Sequence, residues 1–175
     1  MAKRISLREF QAGLVERLTS AARGENSTAL LGVQTGGDHW LLNLSDAGEI
    51  MPLPPLTPVP KTKHWFVGMA SIRGVLYGVV DFSAFLGGEA TLRNHEARLL
   101  LVGARHGLNC ALLVSRTLGL KNPETLDDLP EPVENLSAPW AGETLRDKQG
   151  TPPLTWRRLL IKPLLGHAAF LDISR

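Results

Sequence analysis

The sequence predicts an all-β protein with minor helices. From residue 28 onward, short runs of strand-forming residues alternate with glycine, proline and other turn residues. Gly36-Gly37, inside "ALLGVQTGGDHWLLNLS", is typical of a tight hairpin turn between two such runs. Arg73-Gly74 interrupts the apolar run "HWFVGMASIRGVLYGVVDF" at its centre and predicts a second hairpin. About seven short strands with this spacing favour a sandwich or a small barrel.

Before the strands, residues 6–23 have the pattern of an amphipathic helix. Ser6 and Glu9 form a capping-box signature, and Gly24 is a typical stop residue. The apolar stripe of this helix consists of Leu7, Phe10, Leu14 and Leu18. Residues 1–27 are therefore predicted to be a helical extension.

After the first hairpin, "GEIMPLP" is predicted to be a third strand, which the proline-rich loop "PLPPLTPVPKT" ends because proline lacks an amide donor. The apolar segments "HWFVGMASI", "VLYGVVDF", "EARLLLVGA" and "LNCALLVSRTLGL" follow as strands. The strand-rich halves, at about 29–88 and 96–155, are interpreted as two similar modules.

The last third of the chain has weaker patterns. Asn122 as a cap and Pro123 at the first helical position predict a short helix in "NPETLDDL". "AGETLRDKQGTPPLT" is interpreted as a hairpin turning at Gln149-Gly150, although the two prolines weaken its return strand. "TWRRLLIK" and "GHAAFL" are predicted to be short terminal helices.

Composition excludes several classes of protein. The chain has 175 residues, 21% of them charged, and a net charge of +2, which argues against nucleic acid or an anionic membrane surface as the main partner. Its one cysteine, Cys110, lies in an apolar run and is predicted to be a buried hydrophobe. With no apolar run of about 18 residues and no leader-like start, we expect a cytoplasmic protein without direct membrane insertion.

Motifs for chemistry are missing from the sequence. The five histidines are widely spaced, which predicts no metal site, and there is neither a phosphate-binding glycine loop nor a nucleophile elbow. We therefore predict no enzyme and no cofactor. An alternative is a site assembled from distant groups, for instance His95 or His106 near Glu96.

A second alternative is a small barrel that binds single-stranded nucleic acid. Trp40, Trp65, Phe66 and Tyr77 are candidates for stacking on bases. Aromatic residues in strands more often belong to the core, which favours the interpretation without nucleic acid.

Arg73 has two interpretations. Either it is a solvated residue of a hairpin turn, or its planar fork of donors is held by a carboxylate from a neighbouring strand. Glu49, in the short strand "GEIMPL", is the candidate carboxylate.

Residues 49–82 resemble the core of the CheW-like coupling proteins of bacterial chemosensory arrays. The family shows a strand with Glu and Ile or Val, a "T-x-V-P" loop, an apolar strand with Gly, an "N-[LIV]-R-G" turn and a strand ending "V-V-D-L". The corresponding positions here are Glu49-Ile50, Thr57 to Pro60, Gly68, Ser71 to Gly74 and Val79 to Phe82. The leading helix and "TPVPKTKHW" are similar to the variant that serves type IV pilus (twitching motility) systems.

The resemblance implies two side-by-side five-stranded SH3-like β-barrels in residues 28–175: a first barrel at about 28–92, a second at about 93–155, and terminal helices at 156–170. It implies a scaffold without a catalytic site that couples the cytoplasmic tip of a chemoreceptor to the regulatory domain of a CheA-type histidine kinase. The positions carried over as partner-binding are Glu49, Ile50, Gly68, Arg73, Gly74 and Val80.

The chain departs from the family pattern at several positions. Ser71 replaces the usual Asn, Phe82 replaces Leu, and Lys61 stands where glycine often follows "V-P". Gly78 stands where proline is usual, and we expect it to loosen its strand because glycine packs nothing there.

Overall fold

The structure is a computed structural model that describes residues 29–130 and 138–175. Within them the strands are β1 Leu30–Thr35, β2 Asp38–Asn43, β3 Glu49–Pro52, β4 Phe66–Ile72, β5 Val75–Asp81, β6 Arg98–Leu101, β7 Cys110–Val114, β8 Arg116–Lys121, β9 Leu126–Leu129, β10 Ala141–Asp147 and β11 Thr155–Leu159. The α-helices are α1 Phe82–Phe85, α2 Ile161–Leu165 and α3 Ala168–Leu171. The predicted all-β class with minor helices is confirmed, whereas the helix predicted at 6–23 lies outside the described residues.

The strands form two sheets. One has six strands in the order β8-β1-β2-β11-β10-β9, and the other has five in the order β3-β6-β7-β5-β4. The chain begins in the six-stranded sheet, crosses to the five-stranded sheet between β2 and β3, and returns between β7 and β8. The sheets are therefore interleaved in sequence.

This interleaving differs from the predicted division into barrels at 28–92 and 93–155. Strands β6 and β7 follow residue 92, yet they pair with β3 and β5 in the five-stranded sheet. Strands β1 and β2 precede residue 92, yet they pair with β8 and β11 in the six-stranded sheet. Pairing between segments that are distant along the chain decides which sheet each strand joins. The order of the strands along the chain does not predict this choice.

Three clusters of buried apolar side chains hold the sheets together. The largest lies between the sheets and takes residues from both of them, together with α2 and α3. A second cluster belongs to the five-stranded sheet, and a third, centred on Trp156, belongs to the six-stranded sheet. Each sheet thus has one apolar face of its own and shares a core with the other, which fixes the two as one packed unit.

The two predicted hairpins are confirmed. Strands β1 and β2 pair with Thr35 opposite Asp38, which leaves Gly36-Gly37 as the turn. Strands β4 and β5 pair with Ile72 opposite Val75, which leaves Arg73-Gly74 as the turn. The predicted hairpin of β10 and β11 is also present.

Two segments that were predicted to be helical are strands. "TWRRL" forms β11, because Trp156 fills the core of the six-stranded sheet while Arg157 and Arg158 pair in parallel with β2. "LDDL" forms β9 on the edge of the same sheet, and only residues 123–125 before it make a helical turn, which Asn122 caps through the amide of Glu124. The predicted helix in "GHAAFL" is confirmed as α3.

Two further predictions concern the burial of Cys110 and the length of the helices. Cys110 is buried in the core between the sheets, as predicted, and burial raises the pKa of its thiol to about 12. In residues 29–130 and 138–175, no helix has the length and apolar character that a membrane-crossing helix needs.

Candidate functional site

The β4–β5 turn holds an arginine in a strained backbone conformation. Arg73 has φ 51° and Gly74 has φ 80°. Two-residue hairpin turns of this type need positive φ at both positions and favour Asn-Gly or Gly-Gly. A residue with a Cβ atom costs about 1–2 kcal/mol in this region, so the turn would be easier to form without arginine.

The Arg73 side chain is bound to a carboxylate, as the sequence predicted. Its Nη2 donates a hydrogen bond to Oε1 of Glu49, and the two groups form an ion pair. The two residues come from opposite edges of the five-stranded sheet: Glu49 begins edge strand β3, and Arg73 directly follows edge strand β4 in the turn to β5. The expectation of a neighbouring strand was therefore wrong, because β6, β7 and β5 lie between them in the sheet.

The loop after β3 brings the two edges of the sheet together. The Thr57 amide donates to the Met69 carbonyl at 2.8 Å, and the Met69 amide donates to the Thr57 carbonyl at 2.8 Å. Thr57 thereby pairs with the outer side of β4. Because this loop begins at β3, it draws β3 and β4 towards one another, and the ion pair of Glu49 and Arg73 spans the same gap.

The ion pair contributes little to stability by itself. The Arg73 side chain is 74% exposed and that of Glu49 is 35% exposed. Exposed pairs of this kind contribute under about 1 kcal/mol, because water screens the charges and ordering two long side chains costs entropy. This contribution does not exceed the cost of the strained turn, so stability alone does not explain the arginine.

Exposed apolar side chains flank the ion pair along the chain. Ile50 is 38% exposed, Val75 is 41% exposed and Leu76 is 59% exposed. A charged pair with apolar neighbours is the composition of a protein-docking surface, in which the apolar groups supply affinity and the charges supply orientation. We take six residues as the candidate for such a surface and call them the docking face: Glu49, Ile50, Arg73, Gly74, Val75 and Leu76.

Two of the predicted partner-binding residues are interior. Val80 is 2% exposed and belongs to the core between the sheets. Gly68 is buried at a register shift of β4, with φ 135°, and a Cβ atom there would lie 2.5 Å from the Thr57 carbonyl oxygen. Gly68 therefore permits the close approach of the loop, and as buried residues neither Gly68 nor Val80 is exposed for a partner to contact.

Val75 and Leu76 were not predicted from the sequence. Both lie in the apolar segment "VLYGVVDF", which was predicted to be a strand without a distinction between buried and exposed residues. They are exposed because β5 extends beyond the buried part of the sheet at its Arg73 end, where its residues are open to solvent. The sequence feature that could have indicated this exposure was their position directly after a two-residue turn.

Two departures from the family pattern have a structural explanation. Lys61 has φ 59°, a conformation that glycine adopts without strain, which accounts for the preference for glycine at this position. Gly78 does not loosen β5: it pairs with Met69 on one side and Cys110 on the other, and the Phe66 ring covers it. A Cβ atom at Gly78 would lie 3.1 Å from that ring.

The aromatic residues considered for stacking on nucleic acid are mostly interior. Trp40, Trp65 and Phe66 are buried in the core between the sheets, and Tyr77 is half-buried against the core of the five-stranded sheet. Stacking platforms need exposed ring faces beside a basic groove. The burial of these rings therefore gives no support to the nucleic-acid alternative.

Titratable groups do not converge at the docking face. His106 lies near a different carboxylate from the one considered, with its Nε2 3.4 Å from Oδ1 of Asp46. In the described part of the chain, no group of three or more His, Cys, Asp or Glu residues is placed to hold a metal ion. A cleft of about 470 Å³ in the six-stranded sheet, lined in part by His39, Thr144 and Arg157, lies away from Glu49 and Arg73.

Comparison with known proteins places this geometry in a family. A family model described as the CheW-like domain matches residues 29–150. Protein PilI of Pseudomonas aeruginosa is 25% identical over 146 residues, which cover 82% of this chain and 79% of that protein. The Chemotaxis protein CheW of Rhizobium meliloti is 29% identical over 105 residues, which cover 59% of this chain and 62% of that protein.

The fold also has a counterpart among solved structures. The scaffolding protein TtCheW from Thermoanaerobacter tengcongensis superposes with a TM-score of 0.61 at 15% identity, over 75% of this chain and 87% of that one. At this level of identity the likeness concerns the fold. Because the family model matches well over half of its residues, the chain belongs to the CheW-like domain family.

Proposed function

We propose that this protein is a non-catalytic adaptor that couples the cytoplasmic tip of a chemoreceptor to the regulatory domain of a CheA-type histidine kinase. Membership of the CheW-like family supports this function, as do relatives named for chemotaxis and for scaffolding. The similarity to Protein PilI supports a pathway that controls type IV pili and twitching motility. On this proposal the protein works in the cytoplasm, held at membrane receptor arrays through its partners.

The observation that carries the proposal is the strained, ion-paired Arg73. Strain persists only where the surrounding structure enforces it, and it is concentrated at functional sites. Here a costly arginine lies in an exposed turn and is bound to Glu49, and the exposed residues Ile50 and Val75 are close to this pair along the chain. This arrangement is suited to orienting a partner and has no group prepared for bond chemistry, which supports binding rather than catalysis.

The size of the docking face suits a switchable assembly. Three partly exposed apolar side chains and one ion pair make a small contact. Weak contacts of this size hold an array together when many act at once. An adaptor shifts the activity of a kinase only as far as its affinities for the two kinase states differ, so a modest contact permits a reversible response.

For the domain organisation, we propose that residues 28–175 are the CheW-like domain and that residues 1–27 add a helical extension. The family model begins at residue 29, which supports this boundary.

Alanine variants of the ion pair test the function. We expect Glu49→Ala and Arg73→Ala to remain folded but to lose affinity for at least one of the two partners, by a factor of up to about ten. The reason is that each substitution leaves the other charge without its orienting contact. Titration calorimetry with purified receptor-tip and kinase regulatory-domain fragments measures this effect. Lys148→Ala is the matched control, since it breaks an exposed ion pair, 2.8 Å from Asp127, in the other sheet.

Normal binding of both partners by both alanine variants would show that the docking face is assigned wrongly. Loss of binding in Lys148→Ala to the same extent would show a general effect of surface charge instead.

A further inference from the structure

Residues 172–175 bind the loop that follows β3 and pairs with β4 through Thr57. The Lys63 amide donates to the Ile173 carbonyl at 2.8 Å, and the Arg175 amide donates to the Lys61 carbonyl at 3.0 Å. These two bonds place Thr62 opposite Ser174 in an antiparallel bridge. We call residues 172–175 the latch.

A charged contact reinforces this short bridge. The ammonium group of Lys63 lies 3.2 Å from Oδ2 of Asp172 and 2.6 Å from the Asp172 carbonyl oxygen. The same group lies 5.9 Å from the centre of the Trp65 ring, within the range of a cation–π contact. One lysine therefore connects the latch, the loop and the start of β4.

The latch also supports the strained Lys61. In its left-handed conformation, φ 59°, the Lys61 carbonyl accepts the hydrogen bond from Arg175. A non-glycine residue keeps this conformation only when contacts with the surrounding structure hold it there. The latch is one such surrounding contact, and it lies beyond the residues that the family model matches.

A stiff segment connects the latch to the edge of the sheet. Residues 57–61 have the sequence Thr-Pro-Val-Pro-Lys, in which two prolines fix their own φ angles and restrict the residues before them. One end, Thr57, pairs with Met69 on β4 through two hydrogen bonds of 2.8 Å. The other end, Lys61, is held by the latch. We call residues 57–61 the proline segment.

From these contacts we infer that the latch is a conformational device that holds the proline segment against β4 and thereby keeps Glu49 and Arg73 within reach of each other. Release of residues 172–175 frees the Lys61 end of a stiff segment whose Thr57 end pairs with Met69 of β4. The two edge strands then lose their connecting contact, and the ion pair that spans them loses its geometry. The consequence for partner binding rests on the proposed function, whereas the mechanical coupling does not.

Amide exchange in the protein without partners tests the coupling. In the double variant Asp172→Ala/Arg175→Pro, which removes the Lys63 ion pair and one backbone donor, we expect the Thr57 and Met69 amides to exchange about tenfold faster or more. The amide of Leu112 in the central strand β7 is the internal control and is expected to stay at the native rate. Asp127→Ala, which breaks the comparable ion pair with Lys148, is the matched variant and is expected to leave all three rates unchanged.

A reversible crosslink provides the complementary experiment. The bridge of Thr62 and Ser174 is a non-hydrogen-bonded antiparallel pair, whose Cα atoms lie about 4.5 Å apart, within the range that a disulfide spans. Thr62→Cys/Ser174→Cys is therefore expected to close the latch on oxidation and to release it on reduction. Cys110 is buried, and with its pKa raised to about 12 it does not compete for the crosslink.

When combined with Asp172→Ala/Arg175→Pro, the oxidised crosslink is expected to restore slow exchange at Thr57 and Met69, and the reduced form to lose it. Native exchange rates in the double variant, or equal acceleration at Leu112, would overturn the inference, the latter because it indicates loss of global stability. Partner affinity measured on the oxidised and reduced forms is a separate readout. If exchange responds to the crosslink but affinity does not, the coupling stands and the proposed docking face is wrong.

Discussion

Two hairpins of the molecule have two-residue turns whose sequences differ in one residue. The β1–β2 turn is Gly36-Gly37, and the β4–β5 turn is Arg73-Gly74. The first turn has glycine at both positions and carries no side chain. The second places the largest basic side chain in a conformation, φ 51°, that glycine adopts without strain.

Space explains the first turn but not the second. A Cβ atom at Gly36 would lie 3.0 Å from the Ser83 hydroxyl, so packing against α1 as well as φ 57° requires glycine there. A Cβ atom at the second position of either turn, Gly37 or Gly74, would meet nothing within 4 Å. At the first position of the second turn, the Arg73 side chain is 74% exposed, which shows that this position is open to solvent. Packing therefore does not restrict the residue type at position 73. The strained arginine is explained instead by the Glu49 carboxylate that its side chain binds.

The largest effect on stability is expected from moving arginine into the packed turn. Gly36→Arg should lower the free energy of unfolding by about 2–3 kcal/mol, because it adds backbone strain and a clash with Ser83. Urea denaturation measures this change. Gly37→Arg is the matched control, since a Cβ atom at Gly37 meets nothing within 4 Å, and it should change stability by less than about 0.5 kcal/mol. Equal losses at both positions would show that packing does not distinguish them.

The reverse exchange separates stability from binding. Arg73→Gly relieves the strained turn and removes a weak surface ion pair, so we expect the free energy of unfolding to stay within about 1 kcal/mol of the native value. Partner affinity should fall about tenfold, equivalent to about 1.4 kcal/mol, when measured by calorimetry with the receptor and kinase fragments. A variant that loses stability while it retains affinity would mean that Arg73 acts in folding.

The smallest effect is expected at Lys61, the other strained residue with a Cβ atom among those described. Lys61→Gly should raise the free energy of unfolding by about 0.5–1 kcal/mol, because glycine adopts φ 59° without strain. Thermal denaturation measures the gain. At Lys148, which lacks a positive φ, the same replacement should lower stability. A loss at Lys61 would show that its side chain contributes more than its backbone costs.

Local patterns explain which parts of this fold were predictable. Gly36-Gly37 and Arg73-Gly74 mark their hairpins because turn chemistry is local, and the position of Glu49 in the short strand "GEIMPL" identified it as the candidate partner of Arg73. The interleaved sheets were not predictable in this way. The parallel pairing of β2 with β11 joins residues more than a hundred positions apart, and no local pattern records it.

The errors at single elements have a similar origin. The apolar and polar residues of "TWRRL" alternate over too few positions to distinguish a strand from a helix. The segment is a strand because Trp156 packs in the core of the six-stranded sheet. The roles of Gly68 and Val80 were misassigned because a motif residue in a structural position and one in a binding position look alike in sequence. Only the burial of Val80 and the contact of Gly68 with Thr57 separate the two.

A charge-exchange cycle shows whether Glu49 and Arg73 orient each other at the docking face. Glu49→Arg, Arg73→Glu and the doubly exchanged variant are compared for affinity towards the receptor and kinase fragments. If the two side chains orient each other, each single variant should lose affinity by a factor of up to about ten. The exchanged pair should regain part of that loss, which corresponds to a coupling free energy of about 1 kcal/mol between the two residues. Strictly additive losses in the exchanged variant would contradict the account.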